Sequence, residues 1–169
     1  MARLSSISPD DRLQLRLHGK GYFFDNARRK HGALMHEVLS RIRTRKDIPQ
    51  SVERYHQEGV IDKEEAIALV ARLEELLNLP EAASWYDGTA RVLNEVDILF
   101  GKGLSKRPDR VMITGNRVVV VDYKFGEHAD QRYHSQVRNY LKLIRQMGYD
   151  GVEGFLWYVE LNKIEAVKG

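Results

Sequence analysis

The sequence predicts an α/β domain in which a central mixed sheet is flanked by helices, and three observations carry that expectation. Residues 30–77 repeat apolar side chains at helical spacing. From residue 90 the pattern changes to short, β-branched runs. A helical stretch at 130–147 then separates those runs from two further strands.

Near the start, residues 12–18 alternate Arg-Leu-Gln-Leu-Arg-Leu-His, the period of a short amphipathic strand, and Gly19 and Gly21 end it. Asp25 or Asn26 is placed to cap a helix running to about Thr44, with Ala33, Leu34, Val38, Leu39 and Ile42 as its apolar stripe. Pro49 opens a second helical segment that Gly59 closes. Asp62 and Glu65 have the spacing of a capping box for a third, whose inward stripe is Ala66, Leu69, Val70, Leu73 and Leu77. That helix is expected to stop near Pro80, leaving residues 81–89 as a connection. Residues 91–100, 109–114 and 117–123 read as three strands, and 152–160 and 163–167 as two more. The intervening helix turns Val137, Tyr140, Leu141 and Ile144 inward. With no second-domain linker in view, the whole of 1–169 is expected to be a single domain. Within it 46–89 forms a helical insert and 90–167 the sheet core.

The stretch from Pro108 to Lys124 holds the chemistry. Val118 to Val121 is an unbroken β-branched run suited to a strand buried on both faces. Side chains alternate along a strand, so Asp122 and Lys124 share a face and Tyr123 takes the other. Gly115-Asn116 marks a hairpin turn that returns Asp109 beside Asp122. Taken alone, Asp-x-Lys at a strand end is as compatible with a solvated surface ion pair. Two aspartates and a lysine meeting across a hairpin are better suited to a hard divalent cation with an amine alongside, the requirements of phosphodiester hydrolysis.

Composition narrows the classes. The chain has no cysteine, which excludes disulfides, cysteine-ligated zinc, thiolate-held iron–sulfur clusters and thiol catalysis. No apolar run approaches the ~18 residues of a membrane span, and no hydrophobic signal region opens the chain, so a cytoplasmic, membrane-free protein is expected. No Gly-x-x-x-x-Gly-Lys-[Ser/Thr] loop is present, so no ATP site is expected in this chain. The net charge of +3 is unevenly spread: Arg28, Arg29, Lys30, Arg41, Arg43, Arg45 and Lys46 gather around one helix, while 53–81 is rich in glutamate. A local basic surface suits a polyanion, and solvated basic helix faces are equally common.

Read in order, Gly32-Ala33-Leu34-Met35-His36, Glu95, Pro108-Asp109-Arg110, Asp122-Tyr123-Lys124, and Gln136 with Tyr140 resemble the PD-(D/E)xK nuclease superfamily. Within it they resemble the RecB-like nuclease domains of bacterial helicase–exonuclease machines (the RecB/AddA type). That resemblance implies a restriction-endonuclease-like core and a metal-dependent deoxyribonuclease. It further implies an exonuclease acting on single-stranded DNA fed by a UvrD/RecB-type helicase motor, in cis or in trans, in repair or recombination. The alternative is a catalytically silent module of the same fold that binds nucleic acid and a helicase. By resemblance His36, Asp109, Asp122 and the backbone carbonyl of Tyr123 bind Mg²⁺, with Mn²⁺ also accepted because imidazole suits it better. Lys124 orients the attacking water and stabilises charge on the phosphate, and Gln136 and Tyr140 look onto the site from one face of their helix. Glu95 is the remaining acid, with Asp97 on the same strand face as its competitor; His31 competes with His36. Arg110, Lys106, Arg107, Arg132 and Arg138 are the nearest candidates for phosphate contacts. The lack of cysteine sets the chain apart from the cluster-bearing members of the group, and no iron–sulfur cluster is expected.

Overall fold

A computed structural model of the chain describes residues 29–94, 98–100, 104–126 and 130–169. The strand at 12–18, the cap at Asp25 or Asn26, Glu95 and Asp97 lie outside the described residues. The chain divides into two units, residues 1–37 and 38–169. Helix α1, described over 29–41, supplies the described part of the first unit, with His36 half-buried on it, and begins the second.

In the 38–169 unit, three helices precede the sheet: α2 (Ile48–Gln57), α3 (Lys63–Leu77) and α4 (Pro80–Trp85). Their boundaries follow from local chemistry. Pro49 sits in the first turn of α2, and Gly59 beyond its end takes φ +73°, a conformation costly for a side chain with a Cβ. Asp62 and Glu65 form the reciprocal capping box at the start of α3, each carboxylate accepting the other's backbone N–H at 2.8 Å. The segment after Pro80 is not the plain connection that was expected. Proline, which cannot continue a helix, fits the first position of a new one, and α4 starts there.

The five-stranded sheet runs in the order β1 (Arg91–Asn94), β4 (Arg110–Thr114), β5 (Arg117–Lys124), β6 (Gly151–Tyr158), β7 (Lys163–Val167). The β5–β6 pair is parallel, the two strands being joined through helix α5 (Gln131–Gln146), and every other pair is antiparallel. The expected strand 91–100 is instead divided: β1 ends at Asn94, and Ile98–Phe100 (β2) pairs with Leu104–Lys106 (β3) in a separate two-stranded sheet. The β4–β5 turn is two residues long, and Gly115 at its first position takes φ +60°.

The sheet is covered on both faces. Val118 and Val120 of β5, with Val152 and Leu156 of β6, pack under Val137, Tyr140, Leu141 and Ile144 of α5. On the other face Tyr123 and Trp157 meet Trp85 and Tyr86, with ring centroids 5.8–6.4 Å apart in edge-to-face arrangements. This double burial explains the unbroken valine run. Helix α5 lies so close to β6 that a Cβ on Gly154 would sit 2.6 Å from Val137 Cγ1 and 3.0 Å from Leu141 Cδ2. Gly154→Ala is therefore expected to cost about 1–3 kcal/mol of unfolding free energy, because the stiff valine cannot swing aside. A denaturation midpoint equal to that of the parent would show that α5 shifts freely.

Candidate active site

The hairpin register places Arg110 opposite Val121, so Asp109, one residue before β4, abuts Asp122. The two acids interlock through the backbone. Asp109 N–H donates to Asp122 Oδ1 at 3.1 Å, and Tyr123 N–H donates to Asp109 Oδ2 at 2.8 Å. Each carboxylate thereby takes over a ladder position ahead of the first residue of β4, where β5 continues. Asp122 is buried, at 2% exposure. In an extended strand a residue's N–H and C=O point to the same edge. The Tyr123 carbonyl is consequently directed toward the edge where Asp109 stands, while Lys124 C=O, on the opposite edge, accepts Val159 N–H at 3.0 Å.

Alternation sends the Tyr123 ring to the far face of the sheet. Its hydroxyl lies 2.7 Å from that of Tyr86 and donates to Leu39 C=O at 3.3 Å. Burial pushes the Tyr123 phenol well above its ordinary value, with the neighbouring Tyr86 adding to the shift and Arg110 opposing it. The ring anchors the strand; what it leaves for a ligand is the backbone.

Lys124 returns to the Asp122 face. Its Nζ lies 3.8 Å from Asp122 Oδ2, donates to Gln136 Oε1 at 3.2 Å and sits 4.5 Å from the centroid of the Tyr133 ring. From there a directional chain continues: Gln136 Nε2 donates to Tyr140 OH at 3.0 Å, and Tyr140 OH donates to Arg107 C=O at 3.2 Å. Burial pushes the Tyr140 phenol far up, the charges of Asp122 and Asp109 reinforce it, and the Gln136 bond only partly opposes it. The hydroxyl therefore stays a donor throughout the working pH range. Because Arg107 is two residues before Asp109, the chain closes a ring from lysine, through α5, back to the first aspartate.

The 38–169 unit thus brings together Asp109, Asp122, the Tyr123 backbone, Lys124, Gln136 and Tyr140. His36 belongs to the 1–37 unit. Among the described residues no three His, Asp or Glu side chains group as a ready-made cation cage. Two carboxylates and a carbonyl are nevertheless a donor set that fits Mg²⁺ or Mn²⁺, hard cations that take oxygen ligands and, for Mg²⁺, keep several waters. Arg110 is not available to phosphate as the sequence had indicated. It is fully buried and donates to Ile42, Arg43 and Trp85 carbonyls at 2.6–2.8 Å. Arg132 is exposed and paired with Asp130 at 2.7 Å. Tyr133 escaped notice in the sequence, although it lies three residues before Gln136 and seven before Tyr140, a spacing that puts all three on one helix face.

A mixed sheet whose central hairpin ends in two interlocked aspartates and a lysine defines the class of nuclease folds built around a carboxylate–lysine centre. The family model of the PD-(D/E)XK nuclease superfamily matches residues 12–169, and the chain belongs to that superfamily, whose members hydrolyse phosphodiester bonds and generally use divalent metal ions. No curated protein matches the chain. Among the described residues no helix is long and apolar enough to cross a membrane.

Proposed function

We propose that the chain is a Mg²⁺- or Mn²⁺-dependent deoxyribonuclease of the RecB-like type. The observation that carries this reading is the Lys124 ammonium held 3.8 Å from a buried aspartate that is itself locked to Asp109. A bound cation would supply positive charge to a non-bridging phosphate oxygen and make a water more acidic. Asp109, Asp122 and the Tyr123 carbonyl would hold it, and the motif resemblance, rather than the geometry, offers His36 as a further ligand and Glu95 as the additional acid. The Lys124 ammonium orients the attacking water toward phosphorus and stabilises negative charge as the P–O bond to the leaving oxygen breaks. Gln136 and Tyr140 keep the lysine on that line. The substrate is DNA, single strands in preference, degraded from an end and delivered by a helicase motor in cis or in trans. The resemblance of the ordered motifs to RecB-like domains supports the delivery mode.

End-labelled single- and double-stranded DNA, incubated with the protein in Mg²⁺ or Mn²⁺ beside Lys124→Ala, tests the proposal. The expected result is cleavage by the parent, a loss of about 10²-fold or more in the variant, and a product ladder from the labelled end. Closed circular single strands should resist. Cleavage of circles would replace the exonuclease assignment with an endonuclease one, and a folded protein inert with both metals would overturn the catalytic reading. Addition of a RecB-type motor in trans should raise the rate on duplex DNA.

A further inference from the structure

We infer that Tyr133 is a positioning residue for Lys124, an inference that rests on the nuclease reading above and extends it to a residue outside the recognised motif. A lysine carries a point charge on a flexible four-carbon stem, and holding it in one geometry costs rotamer entropy. Among the described residues Gln136 Oε1 is the acceptor within hydrogen-bond distance of Nζ, at 3.2 Å, and Asp122 Oδ2 stands off at 3.8 Å. The Tyr133 ring supplies the third side, its centroid 4.5 Å from Nζ. A ring face attracts the ammonium without accepting one of its three N–H donors. A third carboxylate would fix the charge equally well but would consume a donor and invite the lysine away from substrate. The aromatic wall leaves donors for the attacking water and a phosphate oxygen.

The ring is itself held in place. Tyr133 is half-buried against the core cluster beneath α5. It lies in the first turn of that helix, where Asp130 caps the N-terminus by accepting Arg132 N–H at 2.8 Å and Tyr133 N–H donates to Asp130 C=O at 3.0 Å. Tyr133 and Gln136 are neighbours on one helix face, so a single rigid element presents both the amide oxygen and the ring to the lysine.

Two variants and one spectrum test the assignment. Tyr133→Leu removes the ring face at similar bulk and is expected to lower kcat about tenfold with KM and Mn²⁺ affinity unchanged, whereas Tyr133→Phe restores kcat to within about twofold of the parent. In protein labelled with ¹³C-lysine, the Lys124 ε-methylene signal, assigned by its loss in Lys124→Met, is expected upfield from the ring current and back at an ordinary lysine position in Tyr133→Leu. An unshifted parent signal overturns the inference whatever the activity. Equal losses in the Phe and Leu variants overturn it too, by assigning the effect to the hydroxyl. A shifted signal in a parent that cleaves no DNA overturns the nuclease reading and with it a positioning role, leaving the contact as packing.

Discussion

Asp122→Asn is expected to abolish cleavage while leaving the chain folded. The asparagine keeps an oxygen where Asp122 Oδ1 accepts Asp109 N–H at 3.1 Å, so the interlock at the hairpin end persists. What disappears is the negative charge of a carboxylate at 2% exposure, which in a low-dielectric setting dominates the attraction for a divalent cation. Mn²⁺ affinity should fall at least about tenfold, and kcat/KM at least about 10³-fold, the scale of ~4 kcal/mol of lost transition-state stabilisation. Stability should stay within about 1 kcal/mol of the parent, because the hydrogen bond is retained and Lys124, at 20% side-chain exposure, keeps access to water. Calorimetric Mn²⁺ titration, single-turnover cleavage and a denaturation curve separate the three quantities. A variant with unaltered Mn²⁺ binding would remove Asp122 from the ligand set, and one that cleaves within tenfold of the parent would remove it from the chemistry.

The geometry of the acids is legible in the sequence because it depends on two local rules. A two-residue turn at Gly115-Asn116 sets the register, and the register alone brings Asp109 to Asp122. Strand alternation then puts Lys124 on the Asp122 face and Tyr123 on the other. The four inward residues of α5 follow in the same way from a period of 3.6, and all four are buried. Where the reading fell short, the deciding partner is distant in the chain. The run 91–100 keeps a strand-like alternation even through Asn94, Glu95 and Asp97, and those polar residues do not say by themselves that pairing changes partner after Asn94. Leu76 lies outside the narrow inward stripe that helical spacing predicts for α3 yet is fully buried, since a helix pressed between other elements buries more than one stripe. Tyr133 looked like an ordinary aromatic at the head of a helix until Lys124 was found beneath it.

Arg110 is the sharpest of these differences, and replacing it by methionine is expected to destabilise the fold by about 3 kcal/mol or more. In sequence it is one more cation beside an acidic motif. In the structure it is 0% exposed, and its guanidinium spans carbonyls that come from residues far away in the chain: Ile42 at 2.7 Å, Arg43 at 2.8 Å and Trp85 at 2.6 Å. The first two lie just past the end of α1, and the third is the last residue of α4. Helix C-termini carry orphan carbonyls and partial negative charge, which a planar fork of five donors satisfies together. The ring of Tyr86, 3.8 Å from the guanidinium carbon, covers one face. Methionine keeps much of the apolar stem but leaves three carbonyls without their donor. Lysine retains the charge but, as a point donor on a flexible stem, cannot reach all three in one geometry, so Arg110→Lys should recover less than half of the loss. The effect should reach the site as well. Arg110 is the first residue of β4 and the immediate neighbour of Asp109, so loosening its anchor frees the aspartate that accepts Tyr123 N–H. Under conditions where the variant is still folded, Mn²⁺ affinity should therefore drop together with stability, in contrast to Gly154→Ala, which lowers stability where β6 packs against Val137 and Leu141 and leaves affinity unchanged. If Arg110→Met unfolds within 0.5 kcal/mol of the parent, on the scale of about 1–3 kcal/mol for each buried polar group left unpaired, the three carbonyls find water instead, and the clamp is not what holds the first aspartate in place.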